Sequence, residues 1–238
     1  MKKMLLEAAE NLAIKFRSGN GISLTEPINM KTILRKNNIL TIYRPLSENY
    51  YGLSLKSKDD DRFMLINSNT PRGRQHFTIA HELYHLYFDE NPSPHISTKM
   101  DANDGVREKN ADMFASSLLM PKEGVLKYIS TKDIINKDVN ISSVLRLEQY
   151  FSVSRLAMLF RLRKIGLLSE NTLQSLKSIS VIDSAKQYGY DVSLYNKGNE
   201  NLVIGDFGEK ARKLFDAEKI SEGHYIELLN MISNEAEN

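Results

Sequence analysis

The chain predicts an α+β fold: two N-terminal helices, a small three-stranded sheet, and then a mostly helical remainder. Three observations carry that expectation. Apolar residues recur at helical spacing over residues 3–18, three short strand-like runs fall between residues 39 and 67, and the longer apolar segments from residue 72 onward repeat at the helical period. With 238 residues, 41% hydrophobic and 26% charged, the chain has the composition of a soluble globular protein and the length for one sizeable core or two small ones. The net charge is +2, so nothing global points to nucleic acid or to a membrane surface. The absence of cysteine excludes disulfides and thiolate sites and leaves His, Asp and Glu as the strong metal ligands. The apolar run behind Met1-Lys2-Lys3 stops at Glu7, too short for a signal peptide, and no window approaches the roughly 18 apolar residues of a membrane span. The expected location is the cytoplasm.

In order along the chain, Leu5, Ala8, Ala9, Leu12, Ala13 and Phe16 form one helical stripe, which Gly19 and Gly21 end. Pro27 suits the first turn of a second short helix carrying Ile28, Met30, Ile33 and Leu34. Strands are predicted over 39–44, 51–57 and 62–67, the last two as a hairpin through the polar turn Lys58-Asp59-Asp60-Asp61. Asn69-Thr70-Pro71 starts a helix over 72–88. Residues 89–104, with Pro92 and Pro94, read as loop. A helix over 105–120 is stopped by Pro121, and 122–140 reads as one short helix and a polar connection. Helices over 141–150 and 155–165 follow, the second capped by Ser154 and closed by Gly166. In the tail, helices are expected near 173–187 and 221–232, with weak strand signals at 192–195 and 202–204.

The helix over 72–88 contains His81-Glu82-Leu83-Tyr84-His85, an HExxH sequence. Histidines four apart stack one turn apart on the same face, so both imidazoles reach one ion, and Glu82 sits beside that ion as a general base. A catalytic zinc takes three protein ligands. The best third is Glu108, because Glu108, Ala111, Asp112 and Ala115 share one face of the following helix, and the two alanines let it approach closely. Asp112 reads either as the carboxylate that takes the outer N–H of His81 or His85, or as a solvated group. His76 points to another side of its helix, His95 reads as a loop histidine that faces solvent, lines the cleft or stabilises an oxyanion, and His224 reads as surface. Tyr84 and Tyr87 read as packing residues. With such a ligand set the reaction class is metal-assisted amide hydrolysis, and zinc is the expected ion, with manganese and iron also compatible with His-His-Glu.

These residues resemble the ImmA/IrrE-type metallopeptidase family. The resemblance rests on Arg74-Gln75-His76-Phe77-Thr78-Ile79-Ala80-His81-Glu82-Leu83-Tyr84-His85 and on Glu108-Lys109-Asn110-Ala111-Asp112-Met113-Phe114-Ala115-Ser116-Ser117-Leu118-Leu119-Met120-Pro121. The strand Met64-Leu65-Ile66-Asn67 and the segment Tyr150-Phe151-Ser152-Val153-Ser154 also fit, so the likeness spans about residues 5–168. The expected division is a zincin-like metallopeptidase domain on the small sheet over residues 1–125, a helix-turn-helix-like helical domain over 126–171 and an extension of unknown role over 172–238. The resemblance implies a zinc protease that cuts a helix-turn-helix repressor of a phage, mobile element or stress regulon. Its ligands would be His81, His85 and Glu108, and its base Glu82. Two positions depart from the family pattern: Tyr84 stands where a glycine is usual, and Asp112 where an asparagine is.

A second reading comes from residues 145–167. Two helices joined by a tight turn, with Arg146, Arg155, Arg161, Arg163 and Lys164 against Glu148, have a helix-turn-helix cadence and a basic surplus. The protein would then be a non-catalytic regulator that binds DNA, or a toxin–antitoxin component that acts by binding its partner.

Overall fold

The computed structural model describes residues 3–89, 94–98 and 105–233. Its class is α+β, with helices around a mixed sheet and a helical C-terminal part. Helices α1 (Leu6–Gly19) and α2 (Met30–Lys36) precede β1 (Ile39–Arg44), β2 (Tyr50–Lys56) and β3 (Arg62–Asn67). The helix α3 spans Arg72–Phe88. The first difference from the sequence expectation follows: residues His95–Thr98, read as loop, form a strand, β4. Pro92 and residues 99–104 of that stretch lie outside the described residues.

The sheet has five strands, not three, in the order β4-β2-β3-β1-β5, where β5 is Val203–Ile204 from the tail. β1 runs parallel to β3, β2 forms the expected antiparallel hairpin with β3, and β4 and β5 add antiparallel edges. β1 alternates in burial, with Ile39, Thr41 and Tyr43 inward, as a strand with one covered face must. β4 escapes a sequence reading because its single large apolar residue, Ile96, is 46% exposed while its inward positions, His95 and Ser97, are polar. No period-2 apolar signal exists there to be read.

Helix α3 lies across β2 and β3, and α4 (Val106–Leu119) packs against α3. Gly52 on β2 permits that closeness: a Cβ at this position would meet Thr78 Cγ2 of α3 at 2.8 Å. Ala111 and Ala115 are fully buried, so α4 approaches α3 closely through small side chains. Tyr84 fills the interior with its ring 5.8 Å from Phe114, 6.2 Å from Phe88 and 5.6 Å from the His85 ring. Phe16 of α1 completes this cluster against Phe114 and Tyr87.

Other departures concern short elements. α2 begins at Met30, with Asn29 as its cap accepting from Thr32 N at 3.0 Å, so Pro27 precedes the helix instead of opening it. Two short helices, α5 (Lys122–Lys127) and α6 (Thr131–Asn136), stand where one was expected. After α7 (Ile141–Phe151) and α8 (Arg155–Lys164), the helix expected near 173–187 is split into α9 (Glu170–Lys177) and α10 (Val181–Gln187). Ser180 divides them by capping Asp183 N, the use to which serine is best suited. Residues Ser193–Tyr195 form a 3-10 turn, not a strand, because Asp191 accepts from the Ser193 backbone. Helix α11 (Phe207–Asp216), which the sequence reading did not place, precedes α12 (Glu222–Ser233). α11 buries only Ala211 among its residues. No helix among the described residues is long and apolar enough to cross a membrane.

The basic cadence of α7 and α8 has a structural explanation. Arg155 is buried, ion-paired with Glu148, and bonded to Ser184 Oγ at 3.1 Å. Glu148 also accepts from Tyr195 Oη at 2.7 Å. Arg161, 1% exposed, donates to the Met120 carbonyl at 2.8 Å and pairs with Glu10 at 2.9 Å. These two guanidiniums hold α8 to its neighbours. Breaking such a pair leaves an uncompensated charge inside. Arg155→Met is therefore expected to cost about 3 kcal/mol in urea denaturation, and the double change Arg155→Met with Glu148→Leu to restore most of that loss.

Candidate metal centre

Helix α3 brings His81 and His85 to one face, with their Nε2 atoms 3.2 Å apart. Helix α4 supplies Glu108 from its first turn, Oε2 lying 3.2 Å from His81 Nε2 and Oε1 3.8 Å from His85 Nε2. The three residues singled out from the sequence therefore converge. A fourth joins them. His95, on β4, is 7% exposed, places Nε2 3.0 Å from Glu108 Oε1, and stacks on the His85 ring at 3.6 Å between centroids. Ligand atoms of His81, His85, His95 and Glu108 all lie within 4.8 Å of one another.

The outer nitrogens are fixed as well. His81 Nδ1 is 2.9 Å from Asp112 Oδ1, so of the two histidines the sequence reading offered Asp112, it takes His81. His85 Nδ1 is 2.9 Å from Asp89 Oδ2, and Asp89 is itself held by Arg107 Nε. Such carboxylate–histidine pairs fix ring orientation and raise ligand basicity. Asp89 was legible in principle, being four residues beyond His85, but loop composition around it hid the helical register.

Glu82 is completely buried. Ser54 Oγ donates to its Oε2, Ser97 Oγ to its Oε1, and His95 Nδ1 lies 3.2 Å from Oε2. Neither serine was singled out from the sequence, since an inward serine on a strand carries no distinguishing pattern. Of the remaining histidines, His76 rests against the Ser152 carbonyl at 3.1 Å and His224 is exposed, as expected of both. Tyr87 bonds Asn37 Oδ1 at 3.1 Å and takes no part in the cluster.

The electrostatics follow from burial opposed by charge pairing. Burial disfavours a charged His81, but its bonds to Asp112 and Glu108 and the nearby Glu82 prevail and lift its pKa to about 10. His95 is likewise disfavoured by burial yet raised to about 9 by Glu108 and Glu82. His85 falls to about 4, first through burial and then through repulsion from His81 and His95. Burial opposes the carboxylates too, but their imidazole partners hold Glu108 and Glu82 below the ordinary range. The two carboxylates require positive charge at this point. Protons on His81 and His95 supply it, and a divalent cation would supply it in their place while releasing them.

A small cavity of about 60 Å³ lies against His81, Glu108 and Asp112, bounded also by Arg74 and Phe77. Those last two and Asp112 also line a larger, mainly apolar groove of about 420 Å³, with Met113, Leu156 and Phe160 on its walls. Tyr84 lines neither cavity. The donor set suits a divalent ion of intermediate softness. Competition with a chromophoric chelator is expected to show one such ion per chain, lost in His81→Ala, and bound about 10–100-fold more weakly in Asp112→Ala.

The family model described as the IrrE N-terminal-like domain, a peptidase family, matches residues 34–163. That span covers more than half of the chain and holds all four residues of the cluster. No curated protein matches the chain. The chain belongs to the IrrE N-terminal-like peptidase family, and its function is of the metallopeptidase type.

Proposed function

We propose that the protein is a zinc-dependent endopeptidase of the cytoplasm that cleaves a helix-turn-helix transcriptional repressor, with His81, His85 and Glu108 as metal ligands and Glu82 as general base. The observation that carries this reading is the convergence of Glu108 on the two α3 imidazoles at 3.2 and 3.8 Å, with a buried carboxylate, Glu82, alongside. A bound zinc ion supplies Lewis acidity, polarising a peptide carbonyl and acidifying water near neutral pH.

The chain's own residues do the rest. Asp112 and Asp89 keep the His81 and His85 rings aimed inward through their Nδ1 atoms. Glu82 takes the proton of the attacking water on a carboxylate oxygen and passes it to the leaving amide nitrogen. A carboxylate offers about four lone-pair sites. Ser54, Ser97 and His95 occupy three, so one site is left, on Oε1, to receive the proton. The low pKa of Glu82 keeps it ionised at neutral pH, which a base requires. The apolar groove beside Phe77 and Phe160 suits a peptide segment with large hydrophobic side chains.

Burial of Arg155 and Arg161 removes from the α7–α8 surface two of the side chains a duplex-binding role would use, and so favours the peptidase reading over the regulator. The deciding experiment incubates the zinc-loaded protein with the helix-turn-helix protein encoded by the neighbouring gene and follows fragments by mass spectrometry. Wild type is expected to cut it, and Glu82→Gln to lose about 10²–10⁴-fold in rate while keeping its fold and its ion. Cleavage that persists in Glu82→Gln would sink the mechanism.

A further inference from the structure

We infer that the groove between α3, α4 and α8 selects the substrate, taking a peptide segment that carries acidic side chains next to large apolar ones. The inference rests on the preceding reading in one respect, that the protein acts on a peptide chain at the α3–α4 cluster.

Three observations carry it. The first is continuity. The small cavity against His81 and Glu108 and the larger groove of about 420 Å³ share Arg74, Phe77 and Asp112 as wall residues. A chain whose cleaved bond lies at His81 and Glu108 therefore meets the groove with the residues next to that bond. The second is an apolar wall left in solvent. Leu156 and Phe160 lie four residues apart on one face of α8 and are 37% and 54% exposed. Phe77 of α3 and Met113 of α4 line the same groove. Covering these side chains removes apolar surface from water, which favours an occupant with Leu, Ile, Phe or Met. A nucleic-acid backbone has no such groups to offer them.

The third observation is charge. Arg74 and Lys164 also line the groove, and among the described residues neither has an ion pair or a hydrogen bond. The Arg74 guanidinium lies over the Tyr51 ring, 4.6 Å from its centroid. Stacking of this kind leaves the N–H fork available to a carboxylate. The other cation of the wall, Arg161, is already occupied by Glu10, Ser117 and the Met120 carbonyl. Asp112 is bonded to His81 Nδ1. Arg74 stands one turn before Phe77 on α3, and Lys164 one turn after Phe160 on α8. Each helix thus sets a cation beside an apolar wall residue, and the complement is an acidic side chain beside an apolar one.

The test captures peptides from a synthetic pool of randomised dodecapeptides on immobilised, zinc-loaded Glu82→Gln protein and sequences them by mass spectrometry. Asp or Glu next to Leu, Ile, Phe or Met is expected to be enriched about tenfold over the pool. Adding Phe160→Ser is expected to remove the apolar preference and keep the acidic one. Adding Arg74→Gln with Lys164→Gln is expected to do the opposite, a crossed result that misfolding would not give. No enrichment, enrichment of Lys and Arg, or an enrichment indifferent to both changes would overturn the inference. Two other occupants are read on the same protein. Dodecanoate that raises the melting temperature while no peptide is captured would assign the groove to a lipid. A dimer in light scattering that Phe160→Ser dissolves would assign it to a second copy, and either result overturns the inference. Capture needs no turnover, so selective capture without cleavage of the repressor would sink the peptidase reading and leave the groove assigned. Cleavage of the repressor by a protein that captures no such peptides would do the reverse.

Discussion

A carboxylate with no solvent contact, Glu82, sits beside three buried imidazoles and a second, largely covered carboxylate. Burying one unpaired charge of this kind costs several kcal/mol, so the fold is constrained to deliver every partner to the same point. Partners arrive from four elements. α3 brings two imidazoles and Glu82 itself, α4 brings Glu108 and Asp112, β2 brings Ser54, and β4 brings His95 and Ser97. Gly52 matters to this arrangement because it lets β2 lie close enough to α3 for Ser54, two residues on, to reach Glu82. The sheet edge is therefore part of the site as well as its support.

Away from the centre, two buried arginines, Arg17 and Arg161, do comparable work on the backbone. Arg17 donates to the Leu118 carbonyl at the end of α4 and to the Ser23 carbonyl at 2.7 Å. Arg161 reaches the Met120 carbonyl just beyond. Both satisfy acceptors that the end of a helix leaves unpaired, and so they fix the C-terminal end of the helix whose first turn carries Glu108. The tail contributes in the same way at the other helix: Gln75 of α3 bonds Gly198 O at 3.0 Å and Asn199 at 2.8 Å. Residues from three distant parts of the chain thus set where α3 and α4 stand, and with them the spacing of the imidazole and carboxylate groups of the cluster.

Much of this was legible in the sequence where a long periodic pattern exists. β1, β3 and α3 fall on the residues the pattern predicts, since short β-branched and apolar runs bounded by polar turns and a helical stripe over seventeen residues leave little freedom. The same holds for His81, His85 and Glu108, whose helical spacings specify their faces. What escaped was assembled across the chain. His95 and Ser97 face inward only because β4 pairs with β2, and their polarity, which made the stretch read as loop, is what the buried Glu82 requires. Arg155 and Arg161 read as a basic surface because charge along a helix says nothing about an acceptor, such as Glu10 or Met120 O, supplied from elsewhere. α11 carries a stripe, Phe207, Ala211, Leu214 and Phe215 at i, i+4, i+7 and i+8, that the helical period could have found; with only Ala211 buried, its apolar side packs on α12, where Phe215 stacks on Tyr225 at 4.9 Å, and not on the core.

The two positions at which the chain departs from its family's pattern have local physical explanations. Tyr84 points into the core, where its ring fills space bounded by His85, Phe88 and Phe114. A glycine there would leave that volume to be filled from another helix, so the tyrosine bears on the packing behind the site and is not among the residues that line the cleft. Asp112 differs from an asparagine in charge more than in shape. The oxygen of either side chain can accept from His81 Nδ1, but only a carboxylate makes that bond charge-assisted and pushes electron density onto the ring. A more basic His81 binds a cation more tightly and a proton more tightly as well. A carboxylate at Nδ1 therefore strengthens either occupant of the opposite nitrogen, Nε2, and the balance between them is set at Glu108, whose Oε2 lies 3.2 Å from Nε2 and favours whichever positive charge is bound there.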